Sequence, residues 1–287
     1  MTKITGQAKL SAVIGWPVAQ SKSPLIHNSW LTERKIDGAY LPLPLLPENL
    51  APCVSALKDM GFCGWNVTVP HKENIIPLLD TLTPEAKAIG AVNTVIHQKG
   101  KLTGDNTDAF GFIENLYENA VDFLAKDALV LGAGGAARAV LYALIKAGQR
   151  KIWLCNRTEK RAQNLATEFN TLAQNEGFDS KVEALPWQNA AFAAKHCSLL
   201  VNTSLLGMEG QPPLELELGT LPLSASVNDI VYKPLETPLL AWARARGNKV
   251  IDGLGMLLHQ ARPGFKAWYG GDLPDVNQAL RKHVLES

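Results

Sequence analysis

The chain has 287 residues, 46% hydrophobic and 19% charged, a composition typical of a globular protein and a length sufficient for one large domain or two modest ones. Its 28 Lys and Arg against 27 Asp and Glu leave a formal charge of +1, which gives no global attraction to nucleic acid or anionic lipid. Apolar runs such as 128–130 and 250–251 are broken by Gly or charge well short of the roughly 18 residues that a membrane span needs.

The first residues carry Lys3 and Lys9 without a continuous apolar segment or a small-residue cleavage site, so a cytoplasmic location is expected. Cys53, Cys63, Cys155 and Cys197 form no CxxC pair and the histidines form no HExxH pattern. No metal is therefore expected, and buried free thiols are the simpler reading.

Residues 10–14 predict a short apolar strand that ends at Gly15-Trp16-Pro17. Ser23-Pro24 reads as an N-cap with Pro at the first helical position, opening a helix that presents Leu25, Ile26, Trp30 and Leu31. Ser21 and Ser23 then stand at a strand-to-helix junction where backbone amides can meet an anion, or Ser23 serves only as the cap. Residues 39–43 predict a strand that Pro42 and Pro44 interrupt, and which is therefore at an edge or very short, and 48–60 a helix. Residues 64–70 predict a further strand, with Lys72 beyond its Pro stop at a sheet rim. Residues 89–97 and 102–105 predict a hairpin around Lys99-Gly100, and Asn106-Thr107-Asp108 leads into the helical pattern of Phe110, Ile113, Leu116 and Tyr117.

From about residue 127 the texture becomes strand and helix in alternation: 128–131, 136–147, 151–156 and 159–169. Residues 199–202, 226–230 and 249–252 predict three more strands, 239–245 a helix, and 256–268 a last helix long enough to return to the first domain. This is a doubly wound α/β pattern, whose sites lie beyond the carboxyl ends of its strands.

Gly132, Gly134 and Ala137 form G-x-G-x-x-A after a strand and at a helix start. Such a turn is tight at its first glycine, admits a pyrophosphate at its second and packs closely at its third small residue. The next strand ends in Asn156-Arg157-Thr158, without the acid that commonly meets the ribose hydroxyls of NAD. Arg157, Lys160 and Arg161 instead suit the additional 2′-phosphate of NADP. Neither a P-loop nor a nucleic-acid-binding module is present.

Lys72 and Asp108 suit the chemistry that a nicotinamide brings. Reduction of a carbonyl develops negative charge on oxygen, which needs a positioned proton donor or cation, and a Lys near an Asp can be held and tuned for that role. The proton moves from Lys72 itself or through the Lys72 and Asp108 pair. His71, beside Lys72, invites a general-acid reading, but adjacent residues on an extended segment need not face the same cavity.

The segments 15–24, 66–72, 90–94, 104–108, 132–136, 156–158, 202–204, 229–232 and 253–260 together resemble bacterial shikimate dehydrogenases, in the same order along the chain. The resemblance implies two α/β domains: a discontinuous substrate-binding domain, 1–114 with 258–287, and a Rossmann-type NADP-binding domain, 115–257. It implies reversible reduction of 3-dehydroshikimate by NADPH to shikimate, on the route to chorismate and aromatic amino acids, by a monomer or homodimer that binds neither nucleic acid nor membrane. By the same resemblance Lys72 and Asp108 are catalytic, Ser21 and Ser23 bind the substrate carboxylate, and Thr68, Asn93, Asp108 and Gln260 bind its hydroxyls. Tyr232 is a further substrate position. Gly132, Ala133, Gly134, Gly135 and Ala136 cradle the cofactor, Asn156, Arg157, Thr158 and Arg161 meet its adenosine phosphate side, and Thr203, Gly253 and Met256 lie towards the nicotinamide.

Trp16, and Arg262-Pro263-Gly264 after His259-Gln260, depart from the commonest family pattern and leave room for an altered substrate preference. A quinate/shikimate dehydrogenase that accepts NAD, and a non-catalytic metabolite sensor on the same fold, are the competing readings.

Overall fold

The computed structural model describes residues 4–124 and 126–286. The chain divides into two compact units, Met1–Thr107 with Leu258–Ser287, and Asp108–Leu257. The first division thus falls at 107/108 rather than 114/115.

The first unit is built on a six-stranded mixed sheet of β1 (Lys9–Gly15), β2 (Gly38–Pro44), β3 (Gly64–Val67), β4 (Thr81–Leu82), β5 (Thr94–Gln98) and β6 (Lys101–Asp105), in the order β2-β1-β3-β5-β6-β4. Strands β2 and β3 flank β1 in parallel, and the β5-β6 hairpin runs antiparallel to β3. Strand β2 lies at the sheet edge, where Pro42 and Pro44 forfeit no ladder donor that a second neighbour would need. Lys99 and Gly100 both have positive φ, 51° and 73°, the backbone that a two-residue hairpin turn requires.

Helices α1 (Ser23–Glu33), α2 (Leu50–Asp59) and α3 (Pro84–Ile89) complete the amino-terminal part of this unit. Ile89 closes α3, so the hairpin begins at Thr94 rather than at Ile89. The N-cap of α1 is Lys22, with no side-chain cap bond; Ser23 is already the first helical residue. The expected capping role of Ser23 is therefore corrected, and its hydroxyl is not used at the helix start. Ala12, Ile14, Val54, Leu57, Trp65, Val67 and Val95 belong to one buried apolar cluster beneath the sheet.

The second unit begins with α4 (Asp108–Glu118) and continues through β7 (Asp127–Leu131), α5 (Gly135–Lys146), β8 (Lys151–Cys155), α6 (Glu159–Glu176), β9 (Lys181–Leu185), α7 (Ala190–Ala194), β10 (Cys197–Asn202), β11 (Ser226–Asp229), α8 (Pro238–Arg246) and β12 (Lys249–Ile251). The sheet order is β12-β11-β10-β7-β8-β9, every pair parallel. The chain winds outward from β7 to β9 and then returns to β10 on the other side of β7. This reversal opens a ligand crevice beyond the carboxyl ends of β7 and β10. Buried Leu129, Leu131, Leu200, Val227, Leu239 and Leu240 share one core cluster of this unit.

Helix α9 (Gly253–Tyr269) carries the chain from the second unit back to the first, and α10 (Gln278–Leu285) follows. Pro263 lies inside α9. In the first unit, Trp268 Nε1 donates to the Val95 carbonyl at 2.9 Å and Tyr269 Oη pairs with Ser11 Oγ at 2.5 Å. A side chain at Gly64 would collide with Trp268 and the Val95 carbonyl, so glycine lets α9 lie against β3. Among the described residues no helix is long and apolar enough to cross a membrane, and no group of three or more His, Cys, Asp or Glu could hold a metal ion.

Candidate active site

In the first unit, buried polar groups meet at Asn93, between α3 and β5. Its Oδ1 accepts from the Thr107 N–H at 2.9 Å and from Thr94 Oγ1 at 2.9 Å. Its Nδ2 donates to Thr107 Oγ1 at 3.0 Å and to Gln260 Oε1 at 3.4 Å. Asn93 and Gln260, predicted to bind the same ligand, are thus brought together across 167 positions of chain. Asp108 follows Thr107 directly, is 8% exposed and opens α4, where the positive end of a helix favours a carboxylate.

Lys72 lies in the turn after β3, and its carbonyl accepts the Val92 N–H at 2.8 Å, which anchors the Lys72 backbone beside the Asn93 segment. Thr68 packs over Gly15, where any side chain would run into its methyl group. Ser21 Oγ accepts the Ser23 N–H at 3.3 Å, so the two serines share one turn ahead of α1. His71 is fully buried and its Nε2 pairs with the Leu45 carbonyl at 2.8 Å. It ties two loops together, and its ring is turned into the interior.

Sequence reading assigned no role to Asn66 and Tyr40. Tyr40 Oη donates to Asn66 Oδ1 at 2.6 Å, and Asn66 Nδ2 donates to the Asn93 carbonyl at 3.1 Å and to Thr94 Oγ1 at 3.0 Å. These bonds fix the backbone that carries Asn93. The available signal was an amide in the otherwise apolar strand Trp65-Asn66-Val67, since a buried amide must find partners.

In the second unit, the Gly132 N–H donates to the Cys155 carbonyl at 2.8 Å and Gly132 has φ +108°. Gly134 and Gly135 face open space, with no atom within 4 Å of an added Cβ, and no side chain caps α5. Free N–H groups at a helix start beneath an unobstructed turn are what a pyrophosphate requires. The turn formed by Gly132, Ala133, Gly134, Gly135 and Ala136 therefore fits a dinucleotide.

Asn156 is committed within the chain: its Oδ1 accepts the Ala133 N–H at 3.2 Å and its Nδ2 donates to the Thr158 carbonyl at 2.9 Å. It joins the glycine-rich turn to the loop after β8. Arg157, Thr158, Lys160 and Arg161 are exposed on that loop and the first turn of α6, and two guanidinium groups there suit a phosphate.

Thr203, just beyond β10, is pinned by both its N–H and its Oγ1 to the Leu131 carbonyl, at 2.8 and 2.7 Å. Gly253 leaves no room for a side chain against the carbonyl groups of Ile230 and Val231, so α9 starts hard against the loop that carries Tyr232. Burial raises the Tyr232 phenol above its usual range, keeping it a neutral donor. Met256 is 8% exposed, one turn into α9.

Residues 13–95 match the family model of the shikimate dehydrogenase substrate binding domain, and 115–204 that of shikimate / quinate 5-dehydrogenase. A shikimate dehydrogenase (NADP(+)) from Paramagnetospirillum magneticum is 51% identical over 285 residues, which cover 98% of this chain and 100% of that protein. The chain belongs to the shikimate dehydrogenase family. Its two units carry the substrate-binding and the Rossmann-like cofactor-binding α/β folds of that family. A shikimate 5-dehydrogenase from Thermus thermophilus, solved with NADP(H) and shikimate, is similar at TM-score 0.85 and 38% identity, over 97% of this chain and 99% of that one. Within the same fold, quinate dehydrogenase from Corynebacterium glutamicum, solved with NAD, is similar at TM-score 0.89 and 30% identity, over 98% of this chain and 99% of that one.

Proposed function

We propose that the chain is a cytoplasmic shikimate dehydrogenase that interconverts 3-dehydroshikimate and shikimate with NADP(H), in the synthesis of chorismate and aromatic amino acids. The observation that carries this reading is the 51% identity, over nearly the whole of both chains, to a protein named for that activity and cofactor. The polar groups of the first unit suit such a substrate.

Ser21 and Ser23 offer hydroxyls to a carboxylate, while Thr68, Asn93 and Gln260 offer fixed donors and acceptors to ring hydroxyls. An analogue lacking one of these groups would leave its partner unmatched, and at the buried Ser23 and Asn93 that costs about 1–3 kcal/mol. Lys72 and Asp108 act at the oxygen that changes between ketone and alcohol. In the reductive direction the Lys72 ammonium donates a proton to that oxygen, and Asp108 accepts a hydrogen bond from the hydroxyl so formed. In the oxidative direction Lys72 takes the proton back. Tyr232 adds a neutral hydroxyl to the substrate.

NADPH, when bound, supplies the hydride equivalent for this reduction. The 132–136 turn would hold its pyrophosphate, Arg157 and Arg161 its 2′-phosphate beside Asn156 and Thr158, and Thr203, Gly253 and Met256 its nicotinamide end.

A steady-state matrix of shikimate and quinate against NADP and NAD, followed by nicotinamide absorbance, tests the reading. Turnover confined largely to shikimate with NADP is expected. Efficient oxidation of quinate with NAD would favour the activity of the Corynebacterium glutamicum relative. Binding of both ligands without turnover would make the chain a sensor.

A further inference from the structure

Asp229, the last residue of β11, is 0% exposed, and neutral groups of Asn202, Val231 and Thr237 donate to its carboxylate. Its Oδ1 accepts from Asn202 Nδ2 at 3.0 Å and from the Val231 N–H at 3.1 Å, and its Oδ2 from Thr237 Oγ1 at 2.7 Å. Each partner controls a different piece of chain. Asn202 ends β10, donates also to the Leu206 carbonyl at 3.1 Å, and accepts from the Ser204 N–H at 3.1 Å and Ser204 Oγ at 2.7 Å. Those bonds shape the turn that holds Thr203. Val231 directly precedes Tyr232, and the Ile230 N–H returns to the Asn202 carbonyl at 3.1 Å. Thr237 caps α8 by accepting the Leu240 N–H at 3.3 Å.

A buried carboxyl is a costly way to join three loops. Burial raises its pKa from 3.8 to about 6 despite the three donors, and apolar packing often holds a fold as well as a buried charge does or better. A carboxylate does offer what an amide cannot: two oxygens that accept, so that the Asn202, Val231 and Thr237 donors are satisfied at once.

We propose that Asp229 is a positioning residue whose carboxylate sets the Thr203 turn and the Tyr232 backbone together, so that the groups meeting cofactor and substrate are aligned by one shared anchor. This rests on the reading above that Tyr232 meets the substrate and Thr203 the cofactor. Gly253 belongs to the same arrangement, because it packs on the Ile230 and Val231 carbonyls that the anchor fixes.

The test is a double-mutant cycle on shikimate affinity, measured calorimetrically, with Asp229→Asn and Tyr232→Phe. Asparagine keeps the volume and one accepting oxygen but turns an NH2 group towards a donor. The single change Tyr232→Phe is expected to weaken shikimate binding about tenfold. In the Asp229→Asn background the same change is expected to cost less than about threefold, because the phenol is already misplaced. Equal losses in both backgrounds would overturn the proposal, and no loss from Tyr232→Phe alone would defeat the underlying assignment of Tyr232 instead. If Asp229→Asn does not fold, Asn202→Ala removes one donor to Oδ1 and leaves the carboxylate in place. The cycle with Tyr232→Phe is then expected to be non-additive in the same sense, and additivity there would equally overturn the proposal. Thr237→Val is the structural comparison: a lower Tm with shikimate affinity unchanged is expected, whereas an affinity loss matching that of Asp229→Asn would reduce the anchor to helix capping.

Discussion

A Cβ placed on Gly132 would stand 2.7 Å from Thr203 Oγ1, and Gly132 holds φ at +108°. Two strand ends of the second sheet therefore meet only because position 132 has no side chain. Gly132→Ala is expected to add about 1–3 kcal/mol of backbone strain and to push Thr203 off the Leu131 carbonyl. NADPH affinity, read by nicotinamide fluorescence, should fall about tenfold or more, with Tm lower by several degrees. Unchanged affinity would show that the turn tolerates a side chain.

Arg157→Ala tests cofactor choice. Loss of a charge-assisted contact to the 2′-phosphate is expected to weaken NADP binding by about 10- to 100-fold and to leave NAD binding nearly unchanged. Equal losses for both cofactors would point to damage in the loop that Asn156 ties to Ala133.

Lys72→Ala should depress kcat by about 10²- to 10⁴-fold, the range attributed to a positioned proton donor. NADP affinity should hold, since the residue belongs to the other unit. A kcat within a few-fold of the wild type would remove Lys72 from the chemistry.

The buried His27 makes stability depend on acid. Its ring stacks on Tyr40 with centroids 4.2 Å apart, and burial lowers its pKa from 6.5 to about 3. The folded state keeps the ring neutral, whereas the unfolded chain takes up a proton below about pH 6.5. This contribution is therefore fully present above about pH 6.5 and is lost as pH falls towards 3, in total on the order of 5 kcal/mol. His27→Phe, which keeps an aromatic ring in place, should flatten that part of the stability curve, as denaturant melts across the range will show. An unaltered slope would assign the acid sensitivity to other groups.

Much of the architecture is legible in the residue order. The Lys99-Gly100 turn, the prolines of β2 and the Gly132 to Ala137 spacing act through local backbone chemistry, so their structural consequences follow from neighbouring residues. Strand β9 gives little such signal, because of Lys181 to Leu185 only Val182 is fully buried at this sheet edge. Pro263 is a poor guide to a helix boundary in α9, where the surrounding packing carries the helix through it. The Ser23-Pro24 pair misplaces the cap by one residue, since Lys22 already has helical dihedrals. The bonds from Asn93 to Thr107 and Gln260 and from Asn202 to Asp229 link residues 14, 167 and 27 positions apart, and only the folded chain reveals them.

On the proposed function, the Asn93 region of the first unit holds a polyhydroxylated ring acid. A crystal structure of the protein with shikimate tests it most directly. The expected result places the carboxylate at Ser21 and Ser23, with ring hydroxyls within hydrogen-bond distance of Lys72 Nζ, Asn93 and Gln260. Shikimate bound away from Lys72 and Asn93 would contradict the account.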